Sequence, residues 1–160
     1  MTDGPALQDL IPNNHCWGCG PDNEEGLRIK SYWSGDETTC TWTPGPPFFA
    51  GPEHVLNGGI IASIIDCHAV ITAVADAYRR EGREIGTLPD IWYATGSLNV
   101  TYLRPAPVSQ PVTLRAGVKD RGDRRTTVVC SLHANGEECA RGEVVAVRVP
   151  ESWRRNEAPQ

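Results

Sequence analysis

A single carboxylate interrupts the most apolar stretch of this 160-residue chain, where aliphatic side chains fill most of residues 58–74 around Asp66. If the stretch is a buried helix, an ionised Asp66 carries a large desolvation cost unless it is paired, hydrogen-bonded or partly hydrated. Acids that burial perturbs in this way, when they lie in clefts, are candidates for general-base or nucleophilic chemistry. The structural alternative is that Asp66 hydrogen-bonds a neighbouring helix or loop.

The composition is typical of one acidic globular domain. With 160 residues and 39% hydrophobic content, the chain can bury one core but is short for two domains. A formal net charge of -5 and scattered basic residues argue against a nucleic-acid partner. The chain opens without a charged leader, and its apolar helix is short and central, so we expect a soluble cytoplasmic protein with no membrane partner. The six cysteines are expected to be mostly reduced core thiols.

Local composition divides the chain into one domain with two short extensions. Residues 1–24 are rich in Pro, Asn, Asp and Gly, and they predict an extended N-terminal arm that covers the core. Residues 25–150 carry the patterns of regular structure and predict a single domain. Residues 151–160 predict a frayed C-terminal tail.

One long helix and several strands make up the predicted domain. The helix spans about residues 58–81 and is apolar on nearly all sides over its first four turns, so other elements must wrap it. Alternating patterns and turn signals, among them the hairpin dipeptide Asn135-Gly136, predict strands at 27–33, 38–43, 95–104, 111–119, 125–134 and 139–149. The sequence therefore predicts an α+β fold, in which an antiparallel curved sheet of five or six strands wraps around the central helix.

Two motifs give the chain a resemblance to a known family. Gly58-Gly59 stands shortly before Asp66 at the start of the apolar helix, and Tyr102-Leu103-Arg104-Pro105-Ala106-Pro107 follows in the next strand. With the order of elements, these motifs resemble the hotdog-fold acyl-CoA thioesterases of the phenylacetate-degradation (PaaI) type. The resemblance covers roughly residues 15–149. It includes Cys16-Trp17-Gly18-Cys19-Gly20-Pro21, which is similar to the lead-in of one branch of these proteins.

The resemblance implies hydrolysis of an acyl-CoA thioester, with no cofactor and no metal. In this family the backbone N–H at the position of Gly58 polarises the thioester carbonyl. The carboxylate at the position of Asp66 is the nucleophile or the general base for water, and a small hydroxyl residue stands at the position of Thr95. Thr95 could equally be an ordinary strand residue.

Helix geometry adds a constraint on such a site. Eight residues separate Gly58 from Asp66, and at a rise of 1.5 Å per residue this is about 12 Å along one helix axis. One helix cannot present both groups to the same carbonyl. The sequence therefore predicts a two-fold homodimer, alone or in a dimer of dimers, in which Asp66 of one chain faces Gly58 of the other.

The chain departs from the family at Asn57, because most of these proteins have His-Gly-Gly where this one has Asn57-Gly58-Gly59. Asn57 can cap the helix and hydrogen-bond a substrate, but it cannot carry a proton. His54 could supply an imidazole nearby, or could simply be solvated. The substrate-binding candidates are Gly59, His54, Phe48, Phe49 and Arg104, although the two Phe side chains could instead close a dimer interface.

Three further functions stay open at this stage. A carrier-protein thioester could replace acyl-CoA as the substrate. A hotdog hydratase or dehydratase would need a His paired with a carboxylate. The Asn at position 57 also leaves room for an acyl-CoA-binding protein that has kept the fold and lost activity.

A metal site is not expected from the sequence. Cys16 and Cys19, with His15, have the spacing of half a zinc site, but no second Cys or His pair follows at a suitable distance. His68, two positions after Asp66, is expected to be a satisfied core or interface histidine.

Overall fold

The computed structural model describes residues 4–156 of the chain. A 3-10 helix over Leu7–Leu10 precedes the regular elements. These are β1 (Tyr32–Ser34), β2 (Glu37–Trp42), α1 (Gly58–Arg80), β3 (Trp92–Tyr102), β4 (Val112–Arg121), β5 (Arg125–Ala134), β6 (Glu137–Val149) and α2 (Glu151–Arg154). The predicted α+β architecture, with six strands and one long helix, is confirmed.

All six strands form one antiparallel sheet in the order β1-β2-β4-β5-β6-β3. Asn135 and Gly136 join β5 to β6 with φ angles of 51° and 76°, which is the left-handed turn expected of this dipeptide. Although β3 follows α1 in the chain, it lies at the far edge of the sheet beside β6. Within the described chain, β1 and β3 are therefore the two edge strands.

Helix α1 packs across the sheet, in contact with β2, β3, β4, β5 and β6. Its side chains Ile64, Ile65, Ala69 and Ala73 have no solvent exposure. By length and composition α1 could cross a membrane. More than half of its most apolar 18-residue stretch is buried inside the fold, however, as in the core helix of a globular domain. Burial of this apolar surface is the main source of stability for the fold.

The strand boundaries differ from the prediction most at the first strand, since β1 covers Tyr32–Ser34 instead of 27–33. The residues before it alternate between buried and exposed as predicted. Their backbone, however, pairs with the N-terminal segment: the Leu27 N–H donates to the carbonyl of Trp17 at 2.8 Å. Local alternation could not separate these two outcomes, because both bury the same side chains. The other five strands overlap their predicted ranges.

The N-terminal segment covers the core, and it is more regular than an extended arm. Leu7 in the 3-10 helix is 1% exposed, and Ile11 is 6% exposed. The Leu7 N–H donates to the carbonyl of Ser31 at 2.8 Å. Residues 4–24 therefore form part of the packed domain, while residues 1–3 of the predicted arm lie outside the described chain.

Residues 151–156, the described part of the predicted frayed tail over 151–160, are more ordered than predicted. Glu151–Arg154 forms the short helix α2. The Arg154 guanidinium donates to Asp90 at 2.8 Å and lies 5.5 Å from the centre of the Trp92 ring. These contacts hold α2 against the start of β3. Residues 157–160 lie outside the described chain.

A buried chain of hydrogen bonds ties α1 to the N-terminal segment and to β2. The His68 ring is fully buried, and burial lowers its pKa to about 4, so the ring is neutral. Its Nε2–H faces the Thr38 carbonyl at 3.3 Å, which leaves Nδ1 to accept from the Ser31 hydroxyl at 2.7 Å. Ser31 in turn accepts from the Gln8 amide at 2.8 Å. His68 is thus a satisfied core histidine, as the sequence predicted.

We expect Ser31→Ala to lower the free energy of unfolding by about 2–3 kcal/mol, because it leaves the Gln8 amide and His68 Nδ1 buried without this partner. Urea unfolding followed by circular dichroism measures the change. Ser109→Ala, in an exposed turn, is the matched control and should stay within about 0.5 kcal/mol of wild type. An equal effect of the two substitutions would contradict a structural role for the buried chain.

Candidate active site

The Asp66 carboxylate lies in the third turn of α1, partly buried at the side of the helix that faces the first half of β3. The Thr95 hydroxyl donates to Asp66 Oδ1 at 2.7 Å. Among residues 4–156, this is the one hydrogen bond found for the carboxylate, and no basic side chain pairs with it. Burial raises the pKa of Asp66, while the bond from Thr95 opposes the rise and the charge of nearby Cys16 adds to it.

Strand β3 positions Thr95 beside a break in the sheet ladder. The register between β3 and β6 shifts between Thr95 and Ser97, which marks a β-bulge at Gly96. Bulges bend a strand and change the direction of neighbouring side chains, and they are common next to active sites. Asp66 and Thr95, two separate candidates from the sequence, thus meet within one chain.

A second carboxylate on α1, Asp76, shows what a purely structural acid looks like in this fold. Arg121 donates to both of its oxygens, at 2.7 and 3.0 Å, and Arg80 donates at 3.1 Å. Asp76 is thereby paired to two cations across the end of the helix. Among the described residues Asp66 has no cationic partner, and its one hydrogen bond comes from the Thr95 hydroxyl.

Asp66 and Thr95 line a cavity of about 280 Å³. Its walls are mainly apolar and come from α1, from residues 91–94 and from the C-terminal Trp153. Cys16, Cys19 and Cys67 border the same space and are the group of described residues whose donor atoms could hold a metal. The cavity combines apolar walls with a few polar groups, which is typical of a site for a small organic ligand.

The N-terminus of α1 offers a free backbone donor. The Asn57 side chain caps the helix, since its Oδ1 accepts from the N–H groups of Gly59 at 2.8 Å and Ile60 at 3.2 Å. The N–H of Gly58 has no acceptor among residues 4–156. The carbonyl of the same residue accepts a hydrogen bond from the Tyr102 hydroxyl at 2.6 Å. The helix start is thus fixed to β3, with one N–H available to a ligand.

The other candidates from the sequence do not reach the Asp66 cavity within one chain. His54 is exposed in the loop before α1, and Asn57, Gly58 and Gly59 lie about 12 Å from Asp66 along the helix axis. Phe48 packs on Trp42 at 5.5 Å between ring centres. Phe49 is half exposed and bridges to Leu56, and Arg104 donates to the Glu138 carbonyl at 2.9 Å.

Sequence reasoning missed Tyr102, Trp153 and Cys67. Each one acts across a long separation in the chain: Tyr102 touches Gly58, and Trp153 reaches the cavity from the C-terminus. Cys67 directly follows Asp66 in the sequence, and this adjacency was available as a signal. The identity of its partners, Cys16 and Cys19, had no local signal.

Comparison with known proteins assigns the family. A model of the thioesterase superfamily matches residues 53–140. A thioesterase superfamily protein from Shewanella loihica PV-4 is 33% identical, with 86% of this chain and 96% of that chain covered and a TM-score of 0.66. The chain belongs to the thioesterase superfamily, and the class of enzyme that the fold defines is a thioesterase. A comparison with curated proteins found no significant match.

Two more distant structures share the hotdog fold. The PaaI protein of the E. coli phenylacetic acid degradation operon is 14% identical, with 78% of this chain and 81% of that chain covered and a TM-score of 0.63. A Streptococcus mutans UA159 protein bound to acetyl-CoA is 10% identical, with 76% and 88% covered and a TM-score of 0.61. The resemblance to PaaI-type hotdog proteins that the motifs gave is confirmed at the level of the fold.

The contrast between the two helix carboxylates predicts opposite effects on stability. Asp76→Asn should lower the free energy of unfolding by about 1–2 kcal/mol, because it removes a charged acceptor shared by two arginines. Asp66→Asn should leave stability unchanged or raise it, because a partly buried charge without a cation is replaced by a neutral isostere. Thermal and urea unfolding of both variants beside wild type test this. A clear loss of stability in Asp66→Asn would assign that carboxylate a structural role.

Proposed function

We propose that this thioesterase hydrolyses acyl-CoA thioesters at a site shared by two chains, with Asp66 as the general base or nucleophile. The observation that carries the proposal is a carboxylate held by one neutral donor at an apolar cavity, on a fold whose superfamily cleaves thioesters. The acetyl-CoA bound to the Streptococcus mutans relative supports CoA over a carrier protein as the thiol component.

In the proposed reaction, the free Gly58 N–H donates to the thioester carbonyl oxygen and stabilises the negative charge that develops there. Asp66 takes a proton from a water that attacks the carbonyl carbon, or attacks that carbon itself to form an anhydride that water then opens. The C–S bond breaks, and the CoA thiolate leaves and takes up a proton. The products are one carboxylic acid and one CoA thiol for each water consumed.

Strand β3 supports the proposal of a dimer. The strand is eleven residues long and pairs with β6 along one edge, apart from the bulge at Gly96, and its other edge is unpaired in the described chain. A long unpaired edge is a template for another strand. Residues 95–99 on this strand are exposed, and Leu98 is 39% exposed.

The two hydrogen bonds from β3 to α1 fit such a pairing. Thr95 bonds Asp66 near one end of the strand, and Tyr102 bonds Gly58 near the other. A two-fold antiparallel pairing of β3 with its copy, centred between Leu98 and Asn99, sets Thr95 of one chain opposite Tyr102 of the second. This pairing would bring Asp66 of one chain towards Gly58 of the other and complete two equal sites.

Asp66→Asn is the central test of activity. We expect kcat/KM for thiol release from acyl-CoAs to fall by about 10²- to 10⁴-fold, since the amide cannot accept a proton from water. The assay is a disulfide reagent with short, medium, long and aryl acyl-CoAs, against a baseline without substrate for the protein's own cysteines. Asp76→Asn is the matched control and should keep its activity where it is folded. Wild-type turnover by folded Asp66→Asn would disprove the mechanism.

The same panel tests the alternatives. Release of thiol only from carrier-protein thioesters would show that the substrate is a carrier-protein thioester and not an acyl-CoA. Conversion of an enoyl-CoA without thiol release would show that the reaction is hydration and not thioester hydrolysis. Tight acyl-CoA binding without any turnover would identify a catalytically silent fold.

Thr95→Val tests the hydroxyl that holds Asp66. The substitution keeps the β-branched shape and removes the donor, so kcat should fall by about tenfold or more while KM changes little. Thr101→Val, on the same strand and also exposed, is the matched control and should behave as wild type. Equal kinetics for the two variants would show that Thr95 is an ordinary strand residue.

Complementation between two inactive variants tests the shared site. Gly58→Pro removes the N–H at the first helical position, where Pro is well tolerated, and Asn57 already has the extended backbone that precedes Pro. We expect a loss of about 10²- to 10³-fold in kcat. Gly58→Ala keeps the N–H, its added Cβ meets Tyr102 at ordinary contact distances of 3.5–3.6 Å, and it should stay active.

Co-expression of Asp66→Asn chains with Gly58→Pro chains should restore about a quarter of wild-type activity, because half of a random set of dimers is mixed and each mixed dimer has one intact site. A chain that carries both substitutions should show no recovery of activity when it is expressed alone, because both of its sites are damaged. No recovery by a mixed dimer that has been isolated as such would show that each chain builds its own site.

A further inference from the structure

Three cysteine thiols from distant parts of the sequence meet beside Asp66. Cys16 and Cys19 come from the N-terminal segment and Cys67 from α1, and their three sulfur atoms all lie within 4.8 Å of one another. Cys16 Sγ and Cys67 Sγ are 3.6 Å apart, and none of the three forms a disulfide. His15, which the sequence suggested as a companion of this pair, is not part of the cluster.

The spacing of the sulfurs fits a shared metal ion better than a disulfide. Sulfurs that bind one Zn²⁺ tetrahedrally, each at about 2.3 Å, lie about 3.8 Å from one another. A disulfide requires a separation of about 2.05 Å. The observed 3.6 Å is close to the first arrangement and would need a large shift to reach the second.

The backbone around Cys16 forms a closed turn, and its sulfur lies beside that of Cys67. The turn is closed by the Gly20 N–H, which donates to the Cys16 carbonyl at 2.7 Å, and by the Cys16 N–H, which donates to Asn14 Oδ1 at 3.2 Å.

A glycine makes room for the third thiol. A Cβ added at Gly18 would lie 2.3 Å from Cys67 Sγ and 3.4 Å from its Cβ. Any larger residue at this position would push Cys67 away from the pair. The close approach of Cys67 to Cys16 thus depends on Gly18, and the chain has glycine at the one place where the approach requires it.

We propose that Cys16, Cys19 and Cys67 bind one thiophilic divalent cation, with Zn²⁺ as the ion that fits best. Three thiolates would occupy three tetrahedral positions, and the fourth, open to the cavity that also contains Asp66, would hold water. Each thiol that is still protonated releases its proton to solvent when the ion binds. The ion would fix the N-terminal segment to α1 and hold that wall of the cavity in place. This proposal does not depend on the reaction assigned to Asp66.

Cobalt substitution of the full chain tests the site directly. The protein is reduced with a phosphine under anaerobic conditions and titrated with Co²⁺. We expect one Co²⁺ per chain, with thiolate-to-cobalt charge-transfer absorption in the near ultraviolet and the visible bands of tetrahedral Co²⁺, all removed by Zn²⁺.

Matched cysteine variants assign the ligands. Cys16→Ser changes an exposed thiol, and Cys67→Ser changes a half-buried one. Loss of a contact outside the ligand set weakens metal binding by about 10- to 100-fold. Loss of a ligand should weaken Co²⁺ binding by more than this in both variants. Cys139→Ser, a thiol outside the cluster, should bind as wild type. Zn²⁺ should raise the thermal midpoint of wild type and Cys139→Ser but not that of Cys16→Ser.

Three results would overturn the proposal. One is folded, reduced wild type that gives no charge-transfer band with Co²⁺. Another is a band of equal affinity in Cys16→Ser. The third is a reduced chain that binds no Co²⁺ and that forms a disulfide within the cluster on exposure to air. This result would identify the cluster as a redox pair.

Discussion

Helix α1 is apolar on nearly all sides, and the sheet can cover it on one side only. The remaining surface must be buried by something else, because exposed aliphatic area of this size is unfavourable in water. The N-terminal segment supplies part of that cover through Leu7, Ile11 and Cys19. The rest faces the cavity at Asp66 and the free edge of β3, so the incomplete cover of one helix determines where a ligand can enter.

The polar residues of α1 resolve the cost of burial in different ways. His68 stays neutral and completes a chain of hydroxyl and amide partners. Asp76 is paired with Arg80 and Arg121 at the well-covered end of the helix. Asp66 has one hydroxyl partner and an opening to the cavity. This difference in partners is the reason why Asp66, and not Asp76, is the acid proposed to act on a substrate.

Sequence reasoning reached the fold because its signals are local. The all-round apolar helix, the alternating strands and the Asn135-Gly136 turn each constrain the backbone within a few residues. The helix rise alone showed that Gly58 and Asp66 cannot act together in one chain. The pairing of residues 27–31 with the N-terminal segment was beyond reach, since alternation records which side chains are buried and not which backbone they meet.

The site was predicted in part for the same reason. Asp66 was found as a carboxylate within the apolar helix and Thr95 through the resemblance, and the hydrogen bond between them is observed. The meeting of Cys16 with Cys67 spans 51 positions and depends on the path of the N-terminal segment, which is rich in turns. The hydrogen bond from Tyr102 to Gly58 likewise depends on the crossing of β3 to the far edge of the sheet.

The walls of the cavity have two origins in the chain. The carboxylate and its side of the cavity come from residues 53–140, the part that matches the superfamily. The facing wall comes from Asn14, Cys16 and Trp153, which lie outside that part. Terminal segments accept changes of length and sequence more readily than a packed central helix. A change in either chain end would therefore reshape this cavity while leaving Asp66 and Thr95 in place.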